Sequence, residues 1–233
     1  MPLLPTRDGL PEAEVIDRRQ GPYGEVALRR RGGHYEIIAN GCFLMDTADG
    51  RSERLLVDAA LDALAADGRP VDRPSVLIGG LGVGFSLAHA AADPRWGRIT
   101  VVEREAAIID WHRTGPLAAF SAGALDDPRV DVRHTDLVAH LARDGERHHA
   151  LCLDIDNGPD WTVDADNDHL YGPAGLANAA ARLHPGGVLA VWSARPSTAF
   201  EQALRAAGFT DVRTVEIAVG RGLPDAVHLA RRP

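Results

Sequence analysis

Between Ser75 and Glu103 the chain reads SVLIGGLGVGFSLAHAAADPRWGRITVVE. A short apolar-rich run, Ser75 to Ile78, enters the turn Gly79-Gly80-Leu81-Gly82-Val83-Gly84, and a small-residue segment of helical character follows. A second apolar run, Ile99 to Val102, ends on Glu103. This is strand, tight turn, helix and strand, with an acid at the tip of the second strand, and it confines the chain to α/β architectures. Glycines at 80, 82 and 84 let the backbone turn sharply and approach a ligand closely. A carboxylate about 20 residues beyond such a turn accepts both hydroxyl hydrogens of a ribose. The expected ligand is an adenosine derivative, held by Gly79, Gly80, Gly82, Gly84 and Glu103.

Glycine spacing narrows the adenosine ligand. A dinucleotide fingerprint, G-x-G-x-x-G/A, needs a small residue where this chain has Phe85. The chain has G-x-G-x-G instead, the spacing found in S-adenosylmethionine (SAM) folds. A phosphate-cradling P-loop needs a lysine after its glycines, and all 25 basic residues here are arginine. The same absence excludes Schiff-base and pyridoxal phosphate chemistry and any lysine general base.

At 233 residues the chain suits one α/β domain with a small N-terminal appendage. The expected division is a flexible arm over 1–22, a β-hairpin region over 23–50 and a ligand-binding α/β domain over 51–233. No apolar run approaches the roughly 20 residues that span a bilayer. Met1 to Gly21 holds Arg7, Asp8, Glu12, Glu14 and Asp17 and has no apolar core, unlike a secretory signal, so the expected location is cytoplasmic. Cys42 and Cys152 read as reduced, buried thiols. A net charge of −8 without a basic aromatic stripe argues against nucleic acid as partner and is compatible with a cationic ligand.

Glu25 to Arg31 and His34 to Ala39, joined by Gly32-Gly33, read as a hairpin, with a further short strand at Cys42 to Met45. Ser52 to Ala66 has the apolar spacing of a helix. Strands are expected at 75–79, 98–103, 129–133, 149–154 and 187–193, and helices at 84–92, 105–113, 136–143, 171–183 and 197–207. This alternation implies a doubly wound, mostly parallel sheet. Phe209 to Val219 and Asp225 to Arg231 are strand-like and joined by a link too short for a helical crossover, so they pair antiparallel. Seven strands ending in an antiparallel hairpin outline the class I SAM-dependent methyltransferase fold.

From about residue 25 to residue 194 the sequence resembles the spermidine synthase-like family. The resemblance rests on the hairpin leading to Asn40-Gly41, on Val76-Leu77-Ile78-Gly79-Gly80 and on Val101-Val102-Glu103. It continues through Asp127-Pro128-Arg129-Val130, Thr135-Asp136, Leu153-Asp154, Leu170-Tyr171 and Leu183-His184-Pro185-Gly186-Gly187-Val188. It implies that Glu103 holds the ribose, that Asp136 meets the adenine amino group while also suiting a helix N-cap, and that Asp154 meets donor and acceptor. It also implies a homodimer built through the N-terminal hairpins. The departures are specific. The family's turn aspartate, which helps hold the amine of decarboxylated SAM, falls at Gly82, its glutamine at Leu44, its tyrosine near Ser52 and its second acceptor aspartate at Asn157.

Transfer from a sulfonium requires an aligned, desolvated acceptor and a group to take its proton. Asp154 leads as that base, ahead of Asp156 and His169. The long polar loop from Asp156 to His169 reads as a lid, with Trp161, His169 and Tyr171 as acceptor or lid residues. The cluster Asp154, Asp156, Asp164, Asp166 and His169 raises the question of a metal, but strand five ends in Trp192-Ser193-Ala194-Arg195 and supplies no second carboxylate, so none is expected. His148-His149 reads as surface on the far edge. With Gly82 leaving room for a carboxylate, the expected reaction moves a methyl or aminocarboxypropyl group from SAM to a small-molecule acceptor, an amine being one candidate. The alternatives are polyamine aminopropyl transfer from decarboxylated SAM, with Asp154 and Asp156 reading the amine, and a non-catalytic nucleoside-binding scaffold.

Overall fold

The computed structural model describes residues 11–66, 71–155, 157–162, 167–219 and 223–233. Four strands, β1 (Glu14–Gly21), β2 (Gly24–Arg31), β3 (His34–Ala39) and β4 (Cys42–Asp46), form an antiparallel meander in that order. Asn40 (φ 50°) and Gly41 (φ 81°) both take left-handed conformations between β3 and β4, as a two-residue hairpin turn requires. Val26, Leu28 and Ile37 point from this sheet into the main core.

Part of the segment expected to be a flexible arm is a strand. Residues 14–21 pair with β2 from Glu14 opposite Arg30 to Gly21 opposite Gly24. The Trp111 indole Nε1 donates to Asp17 Oδ2 at 2.8 Å and Arg19 pairs with Asp110 at 2.7 Å, which pins the strand to the body. A strand this exposed needs no apolar alternation, so its composition resembles a loop.

The remaining chain runs α1 (Arg51–Ala65), β5 (Val76–Gly79), α2 (Phe85–Ala92), β6 (Ile99–Glu103), α3 (Ala106–Arg113), α4 (Ala118–Ser121), β7 (Val130–His134) and α5 (Leu137–Ala142). It continues with β8 (His148–Leu153), α6 (Asp168–Tyr171), α7 (Pro173–Ala181), β9 (Leu183–Ser193), α8 (Thr198–Ala206), β10 (Thr210–Ile217) and β11 (Asp225–Arg231). The seven strands lie in the order β10-β11-β9-β8-β5-β6-β7. Neighbours from β9 to β7 are parallel, and β11 runs antiparallel to both β9 and β10. The seven-stranded, mostly parallel sheet with its antiparallel ending is as expected.

Strands β5 and β8 are buried on both faces, which is why they read as unbroken apolar runs. Leu56, Ala60, Leu87 and Trp96 cover one face, and Leu137, Leu176 and Leu204 the other. The chain leaves β5 toward β6 on one side and later returns to β8 on the other. This reversal opens a crevice beyond the carboxyl ends of the strands, where ligands bind in such sheets.

Two residues depart from expectation. Cys42 is exposed because β4 is an edge strand, whereas Cys152 is buried in the sheet with its thiol pushed up by burial. His148 is fully buried, since β9 begins at Leu183 and covers the start of β8; His149 is only half-buried.

Candidate active site

Gly80 (φ 94°), Gly82 (φ 49°) and Gly84 (φ 94°) all sit in the left-handed region that side chains rarely enter. A β-carbon on Gly80 would run into the Asp154 carbonyl oxygen, so only glycine lets β5 and β8 end this close together. Gly84 caps α2, and a β-carbon there would lie 2.6 Å from His112 Cε1. Gly79 packs against Leu137. Gly80 and Gly82 therefore face the crevice, while Gly79 and Gly84 shape the turn from behind.

Glu103 is 6% exposed at the end of β6. Its Oε2 accepts the Leu81 N–H at 2.9 Å and its Oε1 accepts the Glu105 N–H at 2.8 Å. Burial pushes this carboxyl up, and the backbone donors oppose the shift. A carboxylate offers about four lone-pair sites, so acceptor capacity remains for a ligand's hydroxyls. Asp136 caps α5, its Oδ1 accepting the Ala139 N–H at 2.8 Å, and it also lines the cavity. The cap and a ligand contact are compatible because the two carboxylate oxygens are separate acceptors.

The cavity measures about 1070 Å³ and lies between the N-terminal sheet, the start of α1, the glycine turn and the loops after β6 and β8. Phe43, Leu44 and Met45 form its apolar roof. Asp46, Asp49, Glu53, Asp154 and Asp225 supply an acidic wall. Asp154 follows β8, held by its N–H to the Gly79 carbonyl at 2.9 Å. Burial, and then the Asp225 charge, push its carboxyl up to about 7. Glu53, in the first turn of α1, is pushed up to about 8 by burial, then by Asp154 and Asp225. The flanking guanidiniums give Glu53 no counter-charge: Arg51 pairs with Asp49 at 2.6 Å, and Arg54 lies over the Phe85 ring at 5.0 Å.

The structure brings Gly80, Gly82, Glu103, Asp136, Asp154 and Trp161 to this one cavity. Trp161 is 61% exposed, its indole at the cavity mouth. His169 is exposed on α6, and Tyr171 lies in the core with its ring edge-on to Phe200 at 5.7 Å. Neither lines the cavity, because α6 turns away from it to pack on α7. Asp156, Asp164 and Asp166 lie outside the described residues. Among the described residues no group of three His, Cys, Asp or Glu side chains is placed to hold a metal ion.

Gly82 lines the cavity, but the direction a side chain would take from it is occupied. The Met45 thioether from β4 lies against its α-carbon, where a β-carbon would meet the sulfur. Sequence reasoning also missed Glu53 and Asp225. An acid next to Ser52, where the resembling family has its tyrosine, was a signal for Glu53. Asp225 had none, since it reaches the cavity only through the antiparallel return of β11.

No protein-family profile and no curated protein matches this sequence significantly. Solved structures do. A crystal structure of spermidine synthase from Thermotoga maritima superposes with a TM-score of 0.74 at 14% identity, over 94% of this chain and 73% of that one. A spermidine synthase in complex with the transition state analogue AdoDATO gives 0.75 at 16% identity, over 94% and 74%. The chain has the fold of the spermidine synthases, small N-terminal sheet included.

Proposed function

We propose that this protein is an aminopropyltransferase-type enzyme, moving the aminopropyl arm of decarboxylated SAM to an amine acceptor. The charge of the cavity carries the reading. Its described lining holds eight acids, Asp46, Asp49, Glu53, Glu103, Glu105, Asp136, Asp154 and Asp225, and one base, Arg104. That guanidinium lies over the Tyr23 ring at 4.6 Å and faces Glu105 at 3.8 Å. A donor carboxylate would meet an excess of like charge, whereas a donor ammonium and a cationic acceptor meet complementary charge. The solved spermidine synthases of the same fold, one of them holding a transition state analogue, support the same choice.

In this reading the adenosine lies along Gly80 and Gly82, with its ribose on Glu103 and its base toward Asp136. The acceptor enters beside Asp154 as an ammonium. Asp154, its carboxyl raised toward neutrality, takes one proton and leaves a free amine. The nitrogen lone pair attacks the carbon next to the sulfonium, the S–C bond breaks, and its electron pair neutralises sulfur to give methylthioadenosine. The apolar roof and the Trp161 indole exclude water from the transferring carbon.

The test is incubation with 1,4-diaminobutane and either donor, with products read by mass spectrometry. Methylthioadenosine and an aminopropylated amine from decarboxylated SAM alone are expected. S-adenosylhomocysteine from SAM would restore the methyl-transfer reading. Binding without product from either donor would favour the nucleoside-binding scaffold.

A further inference from the structure

His112 lies in the last turn of α3 and is 3% exposed, behind the glycine turn rather than in the cavity. Its Nε2 stands 2.9 Å from the Gly82 carbonyl oxygen. That oxygen only accepts, so Nε2 carries the hydrogen and donates it. Nδ1 is enclosed with no well-aligned hydrogen-bond partner, although the Leu117 backbone also bears on the ring. An apolar side chain of similar size would fill this space without burying an unpaired nitrogen, so packing alone does not account for a histidine. Gly84 lets the ring approach, because a β-carbon there would lie 2.6 Å from Cε1.

The Gly82-Val83 peptide has glycine on its N-terminal side, so no side chain at 82 restricts the torsion that aims the Gly82 carbonyl. The bond from His112 selects the orientation whose carbonyl points toward α3. In the same turn the Leu81 N–H reaches Glu103 at 2.9 Å, and the Gly82 N–H also bears on that carboxylate. The chain of contacts runs from His112 through the turn backbone to the acid that lines the donor end of the cavity.

We infer that His112 is a positioning residue for donor binding: by holding the Gly82 carbonyl it fixes the glycine turn and, through the Leu81 N–H, the Glu103 carboxylate. It touches no substrate. The inference rests on the donor reading above, and the experiment separates the two. Methylthioadenosine is titrated calorimetrically into the full chain as wild type, His112→Gln and His112→Leu, and the KM for 1,4-diaminobutane is measured for each. Glutamine places an amide N–H near the position of the imidazole Nε2, and leucine removes the donor while keeping the bulk.

His112→Leu is expected to weaken methylthioadenosine about tenfold, the effect of one lost buried hydrogen bond. His112→Gln is expected to stay within about threefold of wild type, and the acceptor KM to hold in both. Leucine binding as well as wild type, or glutamine failing as badly as leucine, overturns the inference. Wild type failing to bind methylthioadenosine overturns the donor reading itself. If the leucine variant does not fold, the wild-type imidazole nitrogen spectrum decides. An Nε2–H tautomer whose signal moves when methylthioadenosine binds supports the role, and an Nδ1–H tautomer or an unmoved signal overturns it.

Discussion

Ser52 and Asp225 stand 173 residues apart in sequence and meet in a 2.5 Å hydrogen bond, the hydroxyl donating to Oδ2. The bond ties the first turn of α1 to the first residue of β11, on the wall that Glu53 and Asp154 share. The Asp225 charge, after burial, holds the Asp154 carboxyl up. The proton-accepting group of the proposed reaction is thus tuned by a residue at the far end of the chain.

Replacing Asp225 by Asn removes the charge and lets the Asp154 pKa fall from about 7. Asp154 accepts a proton only when ionised, so activity is lost as pH drops through its pKa. The acidic limb of kcat/KM therefore moves to lower pH in Asp225→Asn. An unmoved limb in the pH–rate profile would show that Asp154 is not the titrating base.

Glu53 has a carboxyl raised to about 8, so at pH 7.5 a large share of it is protonated in the free protein. A cationic acceptor favours the ionised form and expels that proton. Calorimetry in buffers of different ionisation enthalpy should record proton release on amine binding by wild type and less by Glu53→Gln. The substitution should also raise the acceptor KM roughly tenfold, as expected for a lost charge-assisted contact. Donor affinity should not change.

Met45 and Gly82 make a packing pair that a double-mutant cycle can read. Gly82→Asp forces a side chain into the Met45 thioether and should destabilise the fold by about 1–3 kcal/mol, the usual range for overpacking. Met45→Ala in the same chain should recover the part of that loss due to the thioether, leaving the cost of a side chain at φ 49°. Additive effects in thermal denaturation would mean that the two positions do not meet.

His148 is buried with neither ring nitrogen hydrogen-bonded, and burial followed by the Arg182 charge pushes its pKa down to about 3. Its folded value lies below the ordinary 6.5, so the stability linked to it is complete above pH 6.5 and is lost as pH falls toward 3. Stability should drop by up to about 1.4 kcal/mol per pH unit in that window from this group. His148→Leu should flatten the dependence and raise stability at pH 5, measured by denaturant unfolding. An unchanged slope would assign the acid sensitivity to the other lowered histidines, His112, His140, His149 and His228.

What was legible in the sequence is what neighbouring residues decide. The Val76 to Glu103 unit, the parallel strands and the antiparallel ending follow from glycine torsions, apolar period and link length, all local properties, and each appears where expected. Gly80, Glu103, Asp136 and Asp154 reach one cavity because strand ends in such a sheet converge on its crevice whatever the loops contain. Only the tertiary structure decided that Met45 covers Gly82, that Glu53 and Asp225 join Asp154, that His112 holds the turn, and that Tyr171 belongs to the core. It also decided that residues 14–21 form a strand, through backbone pairing and the Asp17–Trp111 bond rather than through apolar pattern. Contact, burial and charge coupling depend on distance through space between remote segments, and periodicity along the chain registers only residues a turn or a strand apart.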